Sequence, residues 1–263
     1  MLQKAQSDSE AVHTAKYPSL KGRRVIISGG GSGIGETVVE SFVRQGAAVA
    51  FVDIQHEPSA NLIARLEDAE IAPQFVHCDI TDCDDYGEKI AKMIDRLGGC
   101  DVLVNNAASD DRHTIEEITP DSWDHSMAVN LKHQFFAARA VVSAMTAVGG
   151  GSIINMGSIS WHLGLESLTV YQTAKAAIEG LTRSLARELG PHNIRVNTII
   201  PGNVRTPKQL QWYTPEGEAE IVAAQCLNGR IEPEDIAAMA MFLAADDSRF
   251  CTAHNYWVDA GWR

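Results

Sequence analysis

Tyr171 and Lys175 stand four residues apart, so on a helix their side chains share one face. The pairing matters because an unperturbed tyrosine titrates at about 10, too high for a base at neutral pH. A neighbouring ammonium favours the phenolate and moves it towards useful basicity. Thirteen residues upstream of Tyr171, Ser158 offers a hydroxyl that could hydrogen-bond an oxygen on which the tyrosine acts. Asn130, in Val129-Asn130-Leu131, falls inside a helical stretch where a buried amide usually caps or packs. Each of these residues taken singly is more often structural than functional, and Tyr-x-x-x-Lys occurs by chance in many helices. Together they suggest proton transfer at a substrate oxygen.

To bring these groups together the chain needs a scaffold, and the hydrophobic pattern supplies one. Short β-branched runs at Val25–Ser28, Ala48–Val52, Gln74–Cys78, Val102–Asn105, Ser152–Asn155, Ile194–Ile200 and Tyr256–Val258 read as strands. They are continuous apolar runs rather than alternating ones, as expected for strands covered on both faces. Helical stretches lie between them. The clearest is Tyr171–Leu189, where Ala174, Ile178, Leu181, Leu185 and Leu189 keep helical spacing and Gly190-Pro191 ends the run. Seven strands separated by helices predict one α/β domain over 17–263, a doubly wound (Rossmann) seven-stranded parallel sheet with helices on both faces. Residues 1–16 read as a flexible extension. Gly202–Glu218 has no regular periodicity and carries Pro207, Trp212, Tyr213 and Pro215, which reads as a substrate lid or as a surface loop with packed aromatics.

Ser158 follows the strand Ser152–Asn155, at the carboxyl edge where such sheets bind ligands. At the same edge the first strand runs into Ser28-Gly29-Gly30-Gly31-Ser32-Gly33-Ile34-Gly35, and a helix follows. Glycines there allow a tight turn and let backbone N–H groups approach a pyrophosphate at a helix N-terminus. The G-x-G-x-x-G spacing fails in every register, whereas G-x₃-G-x-G fits through Gly29, Gly33 and Gly35. The second strand ends at Asp53, whose carboxylate could accept hydrogen bonds from an adenosine ribose and repel a 2′-phosphate. Ser32 occupies a loop position where Lys or Arg would favour that phosphate. Both choices favour NAD over NADP.

Composition removes other classes of function. Lys+Arg number 22 against 34 Asp+Glu, a formal charge of −12, which repels nucleic-acid backbones and anionic membranes. The cysteines at 78, 83, 100, 226 and 251 are odd in number and form no CxxC pair, so neither a disulfide framework nor a zinc ribbon is readable. The histidines make no HExxH or H-x₃₋₅-H arrangement, and no metal is expected. Met1–Lys16 is polar, unlike a signal peptide, and the apolar run Ile236–Ala245 is too short to span a bilayer. The expectation is a soluble cytoplasmic protein.

These motifs resemble the short-chain dehydrogenase/reductase family over nearly the whole chain. The glycine loop, Asn105-Asn106-Ala107, Asn130, Ser158, Tyr171-Gln-Thr-Ala-Lys175 and Pro201-Gly202 occur in family order and spacing. Two departures stand out: Ala108 replaces a usual Gly beside the cofactor, and Ser28 replaces a usual Thr while keeping its hydroxyl. The resemblance implies that Tyr171 is the acid/base, that Ser158 holds the reacting oxygen, and that Lys175 binds the nicotinamide ribose and lowers the tyrosine pKa. Asn130 would hold a water that relays the proton. NAD would lie on Gly29, Ser32, Gly33, Ile34, Gly35, Asp53 and Ile54, with Asp79 and Ile80 at adenine, Asn105 and Ala107 by the adenosine ribose, and Pro201, Gly202, Val204 and Thr206 around the carboxamide.

Ser158–Glu166, Trp212–Ala219, Ile221–Leu227 and Asp259–Arg263 are similar to segments of bacterial NAD-dependent aldose 1-dehydrogenases of the D-xylose type. That implies oxidation of an anomeric hydroxyl of D-xylose, L-arabinose or D-galactose type to a lactone. Ser160, Glu166 and Asn203 could bond sugar hydroxyls, while Trp161 or Trp212 could cover a ring face, unless they simply pack. A homotetramer is implied too. Other secondary alcohols, an acyl-carrier ketone, or a regulator that binds NAD without catalysis remain as alternatives.

Overall fold

A computed structural model describes residues 15–211 and 213–262, so most of the expected N-terminal extension, Trp212 and Arg263 lie outside the described residues. The strands are β1 (Arg24–Ser28), β2 (Ala48–Asp53), β3 (Gln74–His77), β4 (Val102–Asn105), β5 (Gly151–Met156), β6 (Ile194–Pro201) and β7 (Asn255–Val258). All neighbours pair in parallel, in the order β3-β2-β1-β4-β5-β6-β7. The order reverses between β1 and β4, and the crevice outside their carboxyl ends is where such sheets bind ligands.

The helices are α1 (Gly33–Arg44), α2 (His56–Arg65), α3 (Cys83–Leu97), α4 (Pro120–Met127), α5 (His133–Ala147), α6 (Ser160–Leu163), α7 (Thr169–Leu189), α8 (Pro207–Leu210), α9 (Pro215–Ala224) and α10 (Pro233–Ala244). The strands look uniformly apolar in sequence because both faces are buried, yet their side chains still alternate. Val25, Ile27, Phe51 and Val104 meet Val39 and Phe42 of α1 and Ile236 and Leu243 of α10. Ile26, Ala50, Val52 and Leu103 meet Tyr86 and Ile90 of α3, Val141 of α5 and Leu185 of α7. Two cores, one on each face, hold the sheet.

The stretch after β6 departs from the sequence reading. Where no periodicity was visible, α8 and the first half of α9 form, each started by a Thr-Pro pair. Thr206 and Thr214 accept the N–H groups of Gln209 and Gly217, at 3.3 and 3.2 Å. Proline at the first helical position sets the backbone angle the helix needs. Capping, rather than an amphipathic pattern, makes these helices.

Candidate active site

The glycine loop is shaped by contact. Gly29 has φ +67°, and a Cβ on it would lie 2.8 Å from the Ala107 Cα, while one on Gly35 would meet the Gly29 carbonyl oxygen at 1.8 Å. The turn therefore presses against the end of β4. Ser28 does what a threonine would do: its Oγ accepts from the N–H groups of Asn106 and Ala107, at 3.1 and 3.2 Å. Asn106 reaches back to the Gly29 carbonyl at 2.8 Å. Ala108 is exposed, so its extra methyl crowds nothing inside.

The start of α1 has no side-chain cap from Ser32, which leaves its first N–H groups for an anion. Asp53 is buried and accepts from the Gly31 and Gln55 N–H groups, both at 2.9 Å. Beside it Ile54 is 61% exposed, a free apolar surface at the tip of β2. Asp79 caps its own turn through Thr81, at 2.9 and 2.7 Å, and these bonds hold its carboxyl below the usual range. Ile80 is buried beneath it. A Cβ on Gly33 would touch Thr206 at 3.5 Å, so the root of the 202–218 segment reaches the glycine loop. Pro201 ends β6, and Val204 bridges to Ile231. These positions follow the carboxyl ends of parallel strands, and their features fit a dinucleotide: an open helix start, a carboxylate with spare lone pairs, and an exposed apolar residue beside it.

Position of the catalytic helix is set by a buried polar chain. Asn105 donates to Asn155 Oδ1 at 2.9 Å, Asn155 donates to Thr182 Oγ1 at 2.9 Å, and Thr198 reaches the same hydroxyl at 2.7 Å. These bonds pin α7 to the ends of β4, β5 and β6, with Thr182 two turns below Lys175. Lys175 is buried and donates to the Met156 carbonyl at 2.8 Å. Its Nζ lies 5.5 Å from the centre of the Tyr171 ring. Ser158 Oγ accepts from the Ser160 N–H at 3.1 Å and donates to Ser160 Oγ at 3.0 Å. Asn130 sits in a π-helical turn, Ala128–Lys132, a distortion common at functional sites. Its side chain clamps Ser109, accepting from the N–H and donating to the carbonyl, both at 2.9 Å. Its Nδ2 also donates to the Ser126 carbonyl at 3.0 Å, so the side-chain amide is already engaged. A cavity of about 400 Å³ opens beside it, walled in part by His113, His125 and Ser126.

The tyrosine is expected to be lowered by Lys175 together with a positive nicotinamide. With protein groups alone, burial pushes Tyr171 up to about 12, with a bond from Ser158 opposing the rise and Asp110 adding to it. Burial pushes Lys175 down to about 7, against the pull of Asp110. Desolvation outweighs the pairing while the cleft holds protein groups alone. The phenolate needs a further positive charge nearby.

The expected sugar contacts scatter. Ser160 is buried behind Ser158, which it orients. Trp161 donates its indole N–H to Glu179 at 2.9 Å and packs on His162. Glu166 is an exposed residue whose carbonyl accepts from Arg112. Asn203 is held by Tyr213 at 2.7 Å and Arg230 at 2.8 Å, which brace the segment after β6. Two residues that the sequence reading missed, Asp110 and Lys208, form an ion pair at 2.6 Å across the mouth. Nothing local marks them, since 98 positions separate them.

Comparison with known proteins agrees with this geometry. The family profile described as "Enoyl-(Acyl carrier protein) reductase" matches residues 29–263. The chain belongs to the short-chain dehydrogenase/reductase family and is an oxidoreductase. It is 56% identical to the D-xylose 1-dehydrogenase of Caulobacter vibrioides over 250 residues, 95% of this chain and 99% of that one. To the "Probable galactose dehydrogenase GalD" of Rhizobium meliloti it is 44% identical, covering 94% and 98%. Among solved structures, a 7α-hydroxysteroid dehydrogenase complexed with NADH superposes with TM-score 0.88 at 28% identity, covering 93% and 96%. A blue fluorescent protein from a metagenomic library, complexed with NADPH, gives 0.86 at 32%, covering 93% and 99%. The family binds NAD or NADP.

Proposed function

We propose that this enzyme oxidises the anomeric hydroxyl of a cyclic aldose, of D-xylose, L-arabinose or D-galactose type, to the aldonolactone with NAD. The observation that carries the reading is the setting of Tyr171, Lys175 and Ser158 in one cleft, in a chain 56% identical to a D-xylose 1-dehydrogenase over almost its whole length. Tyr171 takes the proton of the anomeric hydroxyl, and Ser158, fixed by Ser160, holds the oxygen as its charge grows. Lys175 and a water held by Asn130 would pass the proton towards solvent. The nicotinamide, when bound, supplies the hydride acceptor and the positive charge that Tyr171 lacks. Asp53 holds the ribose diol and excludes a 2′-phosphate, which supports NAD over NADP.

The proposed setting is cytoplasmic. Among the described residues no helix is long and apolar enough to cross a membrane. Five free cysteines suit a reducing cytoplasm. A homotetramer is part of this reading and rests on the family resemblance alone. The test of function is an initial-rate panel of D-xylose, L-arabinose and D-galactose with NAD and with NADP, alongside the methyl glycosides. Oxidation of at least one free sugar and of no glycoside is expected, because the glycoside oxygen has no proton to give. Turnover of the glycosides, or of no free aldose, refutes the reading.

A further inference from the structure

Ser158 lies just past β5, and the chain turns at once into α6, a single turn of four residues. So short a helix does not hold itself, because nucleating one turn costs more than its few hydrogen bonds return. No side chain caps its start, and Gly164 ends it at φ +61°. Its head is tied by the Ile159 N–H to the Pro201 carbonyl at 3.1 Å. Two of its side chains are fastened by a carboxylate on the catalytic helix. Glu179 Oε1 accepts from the Trp161 indole N–H at 2.9 Å and meets His162 Nε2 at 3.0 Å, while Oε2 accepts from Asn255 Nδ2 of β7. The His162 ring lies against Trp161, centroids 3.5 Å apart, and edge-on to Trp257 at 4.4 Å. Three elements therefore meet on one carboxylate, in a side chain only 16% exposed.

Glu179 sits one turn beyond Lys175 and two beyond Tyr171 on α7. From it a short path runs back to the serine. Trp161 is bonded to Ser160, whose N–H donates to Ser158 Oγ at 3.1 Å and whose Oγ accepts from Ser158 at 3.0 Å. Thr182 fastens α7 to the strand ends, whereas Glu179 fastens it to the turn that carries Ser158. A carboxylate suits the place, since it only accepts and all three groups that face it can donate. The placement matters because an error of about 1 Å at a reacting group costs about a hundredfold in rate. We propose that Glu179 is a positioning residue for the reaction: by holding Trp161 and His162 it locks α6 onto α7 and keeps the Ser158 hydroxyl in register with Tyr171. This rests on the reading above only in that Tyr171 and Ser158 act on one oxygen, whichever sugar carries it.

Glu179→Ala should lower kcat about 10- to 100-fold while the KM for NAD stays within about twofold. Glu179→Gln should recover kcat to within about threefold of wild type. Its carbonyl oxygen still accepts from Trp161 and His162, and Asn255 can turn its own oxygen to the new amide. The deciding measurement is a double-mutant cycle. With Ser158→Ala already present, adding Glu179→Ala should cost less than about twofold, because no hydroxyl is left to place. Losses that multiply would overturn the proposal, since a merely structural residue costs the same in either background. So would a kcat for Glu179→Ala within about twofold of wild type. If Glu179→Ala fails to fold, Trp161→Phe with His162→Phe takes its place in the cycle under the same two outcomes, keeping both rings and removing both N–H donors. Independently of any substrate, a crystal structure of Glu179→Ala should show Ser158 Oγ about 1 Å from its wild-type place, and an unmoved Oγ overturns the proposal. If wild type oxidises no aldose, the aldose reading alone fails, and the crystal comparison still decides the role of Glu179.

Discussion

Replacing Asp53 by alanine gives the sharpest test of cofactor choice, because its bonding can be counted. The carboxylate spends one lone pair on the Gly31 N–H and one on the Gln55 N–H, both at 2.9 Å, which leaves one on each oxygen. Those two match a vicinal diol. Hydrogen bonds to a charged acceptor contribute about 1.5–3 kcal/mol each, so losing two costs about 3–6 kcal/mol, or about 10²–10⁴ in kcat/KM for NAD. The lower end is expected, because water can replace the lost partner at the mouth of the cleft. For NADP the sign reverses: a carboxylate about 4 Å from a phosphate charge repels it by about 4 kcal/mol at an effective dielectric of 20. Relief of even a third of that gives about a tenfold gain. Initial rates with each cofactor at saturating sugar, read from reduced-cofactor absorbance, should show the NAD preference shrink by at least about a thousandfold. A preference that stays within about threefold of wild type removes Asp53 from ribose recognition, as would a wild type that uses both cofactors equally.

Tyr171→Phe should lower kcat by about 10²–10⁴ while cofactor affinity, measured by fluorescence titration, hardly changes; retention of most of the turnover excludes Tyr171 as the base. His133→Leu bears on acid stability. Burial pushes His133 down to about 3, next to Lys175, so between its unfolded value of 6.5 and about 3 the unfolded chain binds the extra proton. Stability is lost as pH falls through that window, by about 1.4 kcal/mol per unit, and the leucine variant should lose about 2–3 kcal/mol less between pH 7 and 4.5 in urea melts. Equal slopes in the two proteins would refute the assignment.

The strands were legible because two-sided burial forces apolar runs whatever the face, and each fell within two residues of its expected place at either end. The nearness of Tyr171 and Lys175 was legible because one helix fixes their spacing. Helices α8 and α9 were not, since capping by Thr206 and Thr214 leaves no periodic trace. Pairings across the sheet edge were also hidden: Asp110 meets Lys208 only because β4 and β6 end on the same side. The partners of Trp161 and Asn203 were hidden for a related reason: Glu179 and Arg230 come from α7 and the chain before α10. Residue type announces capacity, and tertiary neighbours decide its use.

Among the described residues, a group of buried polar atoms short of partners lies around the end of β4. Asn105 Oδ1 and Gln134 Oε1 are buried there with no hydrogen bond, and His133 is buried beside them with the Ala107 backbone as its polar partner. Lys175 adds a buried ammonium with one acceptor. Its value near 7 against 10.5 when unfolded means that the folded state is penalised wherever the unfolded chain holds that proton. The penalty is full below about 7 and fades as pH rises towards 10.5. A sheet with two dry cores can carry this cost, and the cost is useful. An ammonium short of acceptors has most to gain from ribose hydroxyls, and a phenol held too weakly acidic has most to gain from a positive ring beside it. On the proposed reading the cleft is unstable in the ways that a bound nicotinamide nucleotide would correct, so that folding energy lost at Lys175 and Tyr171 would reappear as selectivity for the loaded enzyme.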